Sequence, residues 1–246
     1  MSSAALQPSC LGDELLDDPA ADPAVVAASL RHIARANRFF GGTWALHFAL
    51  HHALADQPVG ARLTLLDLGT GDGAMPRAAA AFAARRGIQL VPLGLERSPT
   101  AARLARASMP TVLADAGALP VADASVDLVL MNLMVHHFEP ESIVRLLAEA
   151  DRVARRVVIV SDLQRSRLAR LCFAIGSALL RFDRVTRLDG DLSIRRGFTA
   201  DELHALTVRA GVAAVVATRP FWRLVALWRP AHAAARPVPT LARAAA

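Results

Sequence analysis

The sequence predicts an α/β fold with a mostly parallel sheet, on the basis of two observations. Apolar, strand-like runs alternate with helix-like segments from residue 63 onwards, which is typical of strands joined by helical crossovers. The first run, 63–68, leads into a glycine-rich turn, and an alanine-rich helix is predicted directly after it, over 74–86. A strand, a glycine turn and a helix in this order are typical of α/β domains that bind a nucleotide-type ligand.

The remaining elements follow from the same kinds of pattern. Further strands are predicted over 89–95, 111–113, 126–132 and 157–160, and a final pair over 212–218 and 221–228. Helices are predicted over 99–107, 139–152, 163–182 and 199–211. The last of these helices begins with a capping box formed by Thr199 and Glu202. We expect residues 183–198 to be an insertion loop.

The predicted domain organisation has four parts. Residues 1–22 contain proline, serine and aspartate, and we expect them to be disordered. Residues 23–60 are expected to form a helical cap, in which a helical pattern over 24–55 is interrupted at Gly41 and Gly42. The main domain spans 61–229, and the tail 230–246, a mixture of alanine, arginine and proline, is predicted to be disordered.

Composition narrows the class of protein. The chain has 246 residues and a net charge of +6, contains no lysine and no tyrosine, and scatters its arginines along its length, which argues against a basic nucleic-acid-binding arm. Cys10 and Cys172 lie far apart without metal-ligand neighbours, so we expect reduced thiols, no metal and a cytoplasmic location. No apolar stretch is long enough for a transmembrane helix, and the acidic N-terminal segment does not resemble a signal peptide.

The charges around the glycine turn indicate its ligand. The residues from Gly69 to Ala74 satisfy the dinucleotide-binding pattern G-x-G-x-x-[GA]. A pyrophosphate over this turn would lie close to Asp67 and Asp72, and like charges a few ångströms apart cost on the order of a kcal/mol or more. S-adenosylmethionine has no phosphate, and its sulfonium and ammonium are cations that these carboxylates would attract. Its carboxylate can bind the amides at the helix N-terminus.

Four segments in the expected order strengthen this interpretation. Residues 67–73, Asp-Leu-Gly-Thr-Gly-Asp-Gly, resemble the first motif of class I S-adenosylmethionine-dependent methyltransferases. Glu96 resembles their ribose-binding acid after the second strand, and Asp115 resembles the acid that meets the adenine amino group. Residues 119–129, Leu-Pro-Val-Ala-Asp-Ala-Ser-Val-Asp-Leu-Val, resemble the L-P-F-x-x-x-S-F-D-x-V stretch of the ubiquinone- and menaquinone-type members, with valine at both phenylalanine positions.

The resemblance implies a Rossmann-like, seven-stranded sheet with helices on both faces and an antiparallel last strand. It also implies S-adenosylmethionine as the cofactor and methyl transfer as the activity. The cofactor-binding positions that it implies follow the first four strands: Asp67, Gly69, Thr70, Gly71, Gly73, Glu96, Arg97, Asp115, Ala116 and Asn132.

Methyl transfer requires alignment of the two reactants and, for a protonated acceptor, a base. The acceptor pocket should lie above the carboxyl ends of the fourth and fifth strands. There, His136 or His137 could act as the base, although a histidine at the start of a helix is often only a packing or capping group. Asp162, at the end of the fifth strand, is a candidate acceptor contact, whereas Asp127 precedes its strand and is interpreted as structural.

Apolar residues near the predicted pocket favour a hydrophobic acceptor. They lie in the N-terminal helices and in the segment 163–182: Phe39, Phe40, Trp44, Phe48, Leu171, Phe173, Ile175, Leu179 and Leu180. The segment 163–182 also carries arginines around an apolar face and could contact a membrane surface. The alternatives are ordinary packing of these helices on the sheet and a solvated basic face.

A finer resemblance concerns three segments. Residues 37–42 (Asn-Arg-Phe-Phe-Gly-Gly), 161–165 and 188–198 are similar to a bacterial subgroup found with type III polyketide synthases. This similarity implies a phenolic or polyketide-like hydroxyl as the acceptor, and it places Asp189, Ser193, Arg195 and Arg196 on a loop over the pocket. The expected substrate contacts are Phe39, Trp44, Asp162 and Arg195.

Three other functions stay open. The positive charge suggests an RNA or protein methyltransferase, but the chain has no Asn/Asp-Pro-Pro-Tyr-type motif for a planar nitrogen and no aromatic stacking platform. A dinucleotide oxidoreductase and a catalytically silent S-adenosylmethionine-binding protein are the other two. We expect a small, lipophilic acceptor as the partner, no nucleic acid, and peripheral contact with a membrane. The sequence leaves the oligomeric state open.

Overall fold

The computed structural model describes residues 14, 18 and 20–233. The segments predicted to be disordered, 1–22 and 230–246, lie for the most part outside the described residues. Cys10 also lies outside them, whereas Cys172 is a free thiol.

Seven strands form one sheet in the order β3-β2-β1-β4-β5-β7-β6. Strands β1 to β5 are parallel, and β7 runs antiparallel to β5 and to β6. This topology confirms the predicted Rossmann-like fold with its antiparallel last strand. The strands are β1 Arg62–Leu68, β2 Gln89–Glu96, β3 Thr111–Leu113, β4 Val126–Asn132, β5 Ala154–Leu163, β6 Val215–Arg219 and β7 Arg223–Trp228.

Eight α-helices accompany the sheet in the described part of the chain, and a short 3₁₀ helix, Val135–His137, follows β4. Polar side chains cap several of them; Ser98 begins α4, and Thr199 and Glu202 form the predicted capping box at the start of α8. The helices are α1 Pro23–Phe39, α2 Gly42–Ala53, α3 Ala74–Ala84, α4 Pro99–Arg106, α5 Pro140–Val153, α6 Arg167–Leu179, α7 Arg184–Arg196 and α8 Ala200–Arg209.

Two predicted segments differ from the structure. The predicted insertion loop over 183–198 is wrong, because most of it forms the helix α7; Asp183 caps this helix by accepting a hydrogen bond from the Thr186 amide at 2.7 Å. The predicted helix over 163–182 is shorter and begins only at Arg167. It starts later because β5 extends to Leu163, which pairs with Arg223 of β7.

Hydrophobic residues cover both faces of the sheet. Adjacent residues of one strand point to opposite sides, so that Leu65 packs with Leu50 of α2 while Leu66 belongs to the cluster that contains Leu146 of α5. Helix α2 therefore contributes to the core of the sheet. The predicted boundary at residue 60 marks a connection within this core, and the division into a cap and a main domain stays an interpretation. No helix among the described residues is long and apolar enough to cross a membrane.

Asp127 joins the amino ends of two strands on the side opposite to the glycine turn. Its carboxylate accepts hydrogen bonds from the Thr64 amide at 2.9 Å and from the guanidinium groups of Arg155 and Arg156 at 3.2 and 3.0 Å. Burial alone would raise the pKa of Asp127, but these donors outweigh it and hold the pKa below its usual value. The contacts support the predicted structural role.

Candidate functional site

A single large cleft lies at the carboxyl ends of β1, β2 and β4, where helices α1, α6 and α7 enclose it within the described part of the chain. Its volume of about 770 Å³ is in the range of cavities that hold drug-sized ligands. The strand order reverses between β1 and β4, so the cleft occupies the position where open α/β sheets bind ligands.

The glycine turn forms the floor of the cleft. Gly69 and Gly71 have φ values of +68° and +58° and line the cleft. Because side chains strain this left-handed backbone, glycine leaves the backbone open to a ligand. Gly73 has φ of +79° but does not line the cleft. A Cβ atom at this position would lie 2.8 Å from Met109. The prediction that Gly73 contacts the cofactor is therefore not supported by its position; it begins helix α3 instead.

Glu96 fastens the turn to the end of β2. One carboxylate oxygen accepts a hydrogen bond from the Gly71 amide at 2.8 Å, and the other accepts one from the Ser98 amide at 2.9 Å. Asp72 caps α3 through the Ala74 amide at 2.9 Å. The acid that the sequence assigns to the ribose thus also holds the backbone of the cofactor loop.

Asp67 is a buried carboxylate facing the same cleft, and its side chain is only 2 % exposed. Burial raises the pKa of Asp67 to about 7, and the negative charge of Glu96 adds to this rise. The nearby Thr70 hydroxyl partly opposes it, although the geometry of the two groups falls short of a hydrogen bond. A carboxyl group poised in this way gains a full negative charge when a cation arrives beside it. A pyrophosphate would have the opposite effect.

Several buried polar atoms of residues that line the cleft have no hydrogen-bond partner in the described part of the chain, and three of them belong to the cofactor end. They are Oδ1 of Asp67, Oγ1 of Thr70 and Oδ1 of Asn132. Buried polar atoms are normally paired, so these atoms indicate a polar ligand that brings hydrogen-bond donors. The ammonium and the ribose hydroxyls of S-adenosylmethionine are such donors, and its sulfonium suits the acidic floor. The residues present therefore fit this cofactor.

The other predicted cofactor residues also line the cleft: Arg97, Asp115, Ala116 and Asn132. Asp115 accepts a hydrogen bond from the Gly117 amide at 2.7 Å, so this residue also shapes the turn in which it lies. Of the ten predicted positions, the structure brings all but Gly73 to one cleft.

His136 and Asp162 form a buried pair at the ends of β4 and β5. Nδ1 of His136 lies 2.6 Å from a carboxylate oxygen of Asp162. The carboxylate also accepts hydrogen bonds from the Val135 and Leu163 amides at 3.0 and 2.7 Å. Burial alone would raise the pKa of Asp162, but His136 and these amides hold it below the usual value. An ionised Asp162 keeps the proton of neutral His136 on Nδ1.

The opposite ring nitrogen of His136 is free to act on a ligand. Nε2 is buried and accepts no hydrogen bond from the described residues. His136 lines the cleft, whereas Asp162 lies behind it and is fully buried. The predicted contact between Asp162 and the acceptor is therefore wrong in its placement, because Asp162 reaches the cleft only through His136.

Glu14 closes the cleft near the two histidines, and sequence analysis did not identify it. Its carboxylate oxygens lie 3.9 and 3.8 Å from Nε2 of His136 and of His137, and 3.3 Å from the guanidinium of Arg196. Ligand atoms of Glu14 and both histidines lie within 4.8 Å of one another and could hold a metal ion. Arg196 already places a cation against Glu14, so we assign no step to a metal. The only sequence signal was an acid upstream of the first predicted helix.

The acceptor end of the cleft is mainly apolar. Phe39 at the end of α1, the next residue Phe40 and Phe173 of α6 line it, and the ring centroids of Phe40 and Phe173 are 5.4 Å apart. Two predicted substrate contacts lie elsewhere. Trp44 lines a separate shallow pocket on α2, and Arg195 is exposed on α7. Because residues 184–196 form a helix, Arg195 and the buried Arg196 point in different directions.

Comparisons with known proteins agree with this geometry. Residues 66–160 match a family model described as a methyltransferase domain. No curated protein matches the sequence.

Solved structures of low sequence identity share the fold. A SAM-dependent methyltransferase from Aquifex aeolicus has a TM-score of 0.57 and 14% identity, over 85% of this chain and 98% of its own. The plantazolicin methyltransferase BpumL in complex with SAH has a TM-score of 0.65 and 16% identity, over 88% and 93%. The magnesium protoporphyrin IX methyltransferase ChlM from Synechocystis PCC 6803 with bound SAM has a TM-score of 0.51 and 12% identity, over 77% and 79%.

The matched domain and the neighbours solved with SAM or SAH agree with the acidic glycine turn and with the fit of its unpartnered polar atoms. Together these observations show that the chain is an enzyme with a methyltransferase domain over residues 66–160, that it shares the fold of SAM-dependent methyltransferases, and that S-adenosylmethionine is its cofactor.

Proposed function

We propose that the protein transfers a methyl group to an oxygen of a small, hydrophobic acceptor of phenolic or polyketide-like type. The observation that carries the proposal is the buried pair of His136 and Asp162 in the cleft that also holds the acidic cofactor loop; Nε2 of His136 has no hydrogen-bond partner among the described residues and lies 3.9 Å from the Glu14 carboxylate. An oxygen acceptor needs a base, whereas many softer nucleophiles do not.

Residues at different positions along the cleft have different roles in the reaction. The S-adenosylmethionine, when bound, supplies a methyl group whose transfer to the acceptor oxygen breaks the carbon–sulfur bond and leaves S-adenosylhomocysteine. Asp67 and Glu96 hold the acidic loop that receives the cation, and Asn132 offers its free side-chain oxygen at the end of β4. Nε2 of His136 takes the hydroxyl proton of the acceptor, and Asp162 stabilises the resulting imidazolium at 2.6 Å.

Between the two predicted bases, the contacts favour His136. Its side chain is buried and its Nδ1 lies 2.6 Å from the Asp162 carboxylate, whereas the side chain of His137 is 20% exposed. A base whose orientation is already fixed by a carboxylate loses little entropy on reaching the transition state.

The acceptor class is tested by incubation of the pure protein with methyl-labelled S-adenosylmethionine and either a lipid extract or a polar extract of bacterial cells. We expect the label in the organic phase after partition. Label found only in RNA or in protein would refute the proposal and would favour the alternative, an RNA or protein methyltransferase.

The base is tested with His136→Gln and His137→Gln on the labelled product. We expect His136→Gln to lower kcat by about 10²- to 10⁴-fold, with unchanged S-adenosylhomocysteine affinity, and His137→Gln to have a much smaller effect. The exposed His204 on α8 provides a matched control. If His136→Gln retained the wild-type rate across the pH range, the assigned base would be wrong.

We further propose that α6 rests on a membrane that supplies this acceptor. One face of the helix carries four large aliphatic side chains, each more than half exposed: Leu168, Leu171, Ile175 and Leu179. The adjacent face of the same helix lines the cleft through Cys172 and Phe173. The segment 163–182 contains four arginines and no acidic residue, a composition that suits an anionic lipid surface.

Sedimentation with phosphatidylcholine vesicles, with or without phosphatidylglycerol, tests the membrane contact. We expect binding to the anionic vesicles and a loss of at least about tenfold in Leu171→Asp and Ile175→Asp. Val208→Asp is the control, because Val208 is equally exposed on the distant α8. Equal sedimentation of the wild type and all these variants would contradict the proposal. It would also be contradicted if the exposed aliphatic face of α6 served only to join two copies of the chain.

A further inference from the structure

Arg223 is a buried cation in the wall of the cleft. The proposed methyl transfer assigns no role to it. It is the first residue of β7, pairs with Leu163 at the end of β5, and is only 4% exposed. Buried arginines are rare unless they are paired. Sequence analysis did not identify this residue, although an arginine at the start of an otherwise apolar strand is unusual.

The hydrogen bonds of Arg223 account for only one side of its guanidinium. Nε donates to the carbonyl oxygen of Phe40 at 2.9 Å, which fixes the direction of the side chain. Nη1 is buried and has no hydrogen-bond partner among the described residues. An unpaired guanidinium nitrogen in a buried site costs free energy. Because Arg223 is one of the residues that line the cleft, an anionic ligand there would offset this cost.

The charged groups near Arg223 leave room for an anion. Asp162 is the carboxylate that interacts with Arg223 electrostatically, but it makes no ion pair with Arg223 within 4.0 Å. Its oxygens interact instead with the His136 ring and accept hydrogen bonds from three backbone amides. Burial lowers the pKa of Arg223 to about 10, so the side chain stays charged at neutral pH. Phe40 and Leu163, the partners of Arg223 on the sides of α1 and β5, carry no charge, and its strand partner on β6 is the cation Arg219.

We infer that Arg223 binds an anionic oxygen of the methyl acceptor, a carboxylate or an enolate, while a hydroxyl of the same molecule faces His136. This inference rests on the proposed function and narrows its acceptor to amphipathic acids with an apolar body. A guanidinium recognises a planar carboxylate through paired hydrogen bonds, and the rings of Phe40 and Phe173 offer an apolar surface beside it.

Two pairs of probes that differ only in the acid test the inference in protein saturated with S-adenosylhomocysteine. The first pair is 2,4-dihydroxy-6-pentylbenzoate and 5-pentylresorcinol, and the second is decanoate and decanol. We expect calorimetry to show that the acid of each pair binds at least about tenfold more tightly than its neutral partner. Arg223→Met should remove this preference while the affinity for S-adenosylhomocysteine stays unchanged.

Two further variants guard against a purely structural effect. Arg223→Lys keeps the charge and should retain part of the preference for the acids. Arg219→Met is the matched control, because Arg219 pairs with Arg223 on the same hairpin but lies outside the cleft. This variant should bind all four probes as the wild type does.

Other results would overturn the inference. It is wrong if wild-type protein binds each neutral partner as tightly as its acid, or if Arg223→Met weakens acid and neutral probes equally. The decanoate pair contains no phenol, so a preference for decanoate would support the anion site even if neither phenol bound. In that case only the phenolic class of the proposed function would fail. Conversely, methylation of neutral phenols without any preference for acids would support the proposed function and refute the anion site at Arg223.

Discussion

Asp67 provides the sharpest test of the cofactor loop, because its ionisation should be linked to donor binding. Burial raises its pKa to about 7, and a cation beside it favours the carboxylate. Binding below pH 7 should therefore release a proton, and the affinity should rise by up to tenfold per pH unit. If the pKa in the complex is well below 5.5, the affinity for S-adenosylmethionine increases by about 15-fold between pH 5.5 and 7.0.

The assay is calorimetric titration at pH 5.5, 6.0, 6.5 and 7.0, in two buffers of different ionisation enthalpy, so that proton release is measured directly. This window lies below the titration of a donor α-amino group, at about 7.7–8.0. Asp67→Asn should bind the donor about ten- to a hundredfold more weakly at pH 7 and should lose the pH dependence. A flat wild-type profile, or the same slope in Asp67→Asn, would refute the reasoning.

In the absence of ligand, the pH dependence of the free energy of unfolding has the opposite sign to that of donor affinity. The folded-state pKa of Asp67 lies above its unfolded value, so the folded protein binds the extra proton between the two values. The contribution of Asp67 to the free energy of unfolding should then fall as the pH rises from about 4 to 7. Comparison of wild type and Asp67→Asn in urea at pH 5 and pH 7 measures this contribution, and the donor should counteract the loss.

Three further substitutions probe the loop and its supports. Glu96→Gln should weaken donor binding about ten- to a hundredfold, because its carboxylate also holds the Gly71 amide; unchanged affinity in a titration would contradict the ribose-binding role. Asp127→Asn should lower the free energy of unfolding by about 1–3 kcal/mol at neutral pH, a difference that shrinks as acid protonates the wild-type carboxylate, and should leave donor affinity unaltered. Gly94→Ala places a methyl group 2.8 Å from the Thr70 side chain and should cost about 1–3 kcal/mol of stability in urea as well as donor affinity.

The parts of the site that follow strands could be predicted from sequence. Glycines with positive φ, an acid after β2 and polar residues after β4 have fixed places in a parallel sheet, since carboxyl ends of neighbouring strands meet at one edge. Gly71, Glu96 and Asn132 therefore reach the cleft as predicted. Gly73 does not line the cleft, because it lies at the start of α3 and packs close to Met109.

The parts that depend on packing between distant segments could not be predicted. Asp162 was expected to touch the acceptor, but its distance to His136 follows from how the 3₁₀ helix after β4 packs on the end of β5. Arg195 was expected on a loop over the pocket from the resemblance of residues 188–198, but the segment forms a helix that begins at the cap of Asp183. Glu14 and Arg223 reach the cleft from opposite ends of the chain, and no local pattern relates them.

The most direct test of the account is a competition titration at pH 7.5 between S-adenosylmethionine and a dinucleotide. We predict saturable binding of S-adenosylmethionine in the micromolar range typical of enzyme ligands, a clear loss of affinity in Glu96→Ala, and no displacement by NADH. Binding of NADH at this turn, together with no measurable binding of S-adenosylmethionine, would contradict the claim that the acidic loop holds a cationic, phosphate-free cofactor.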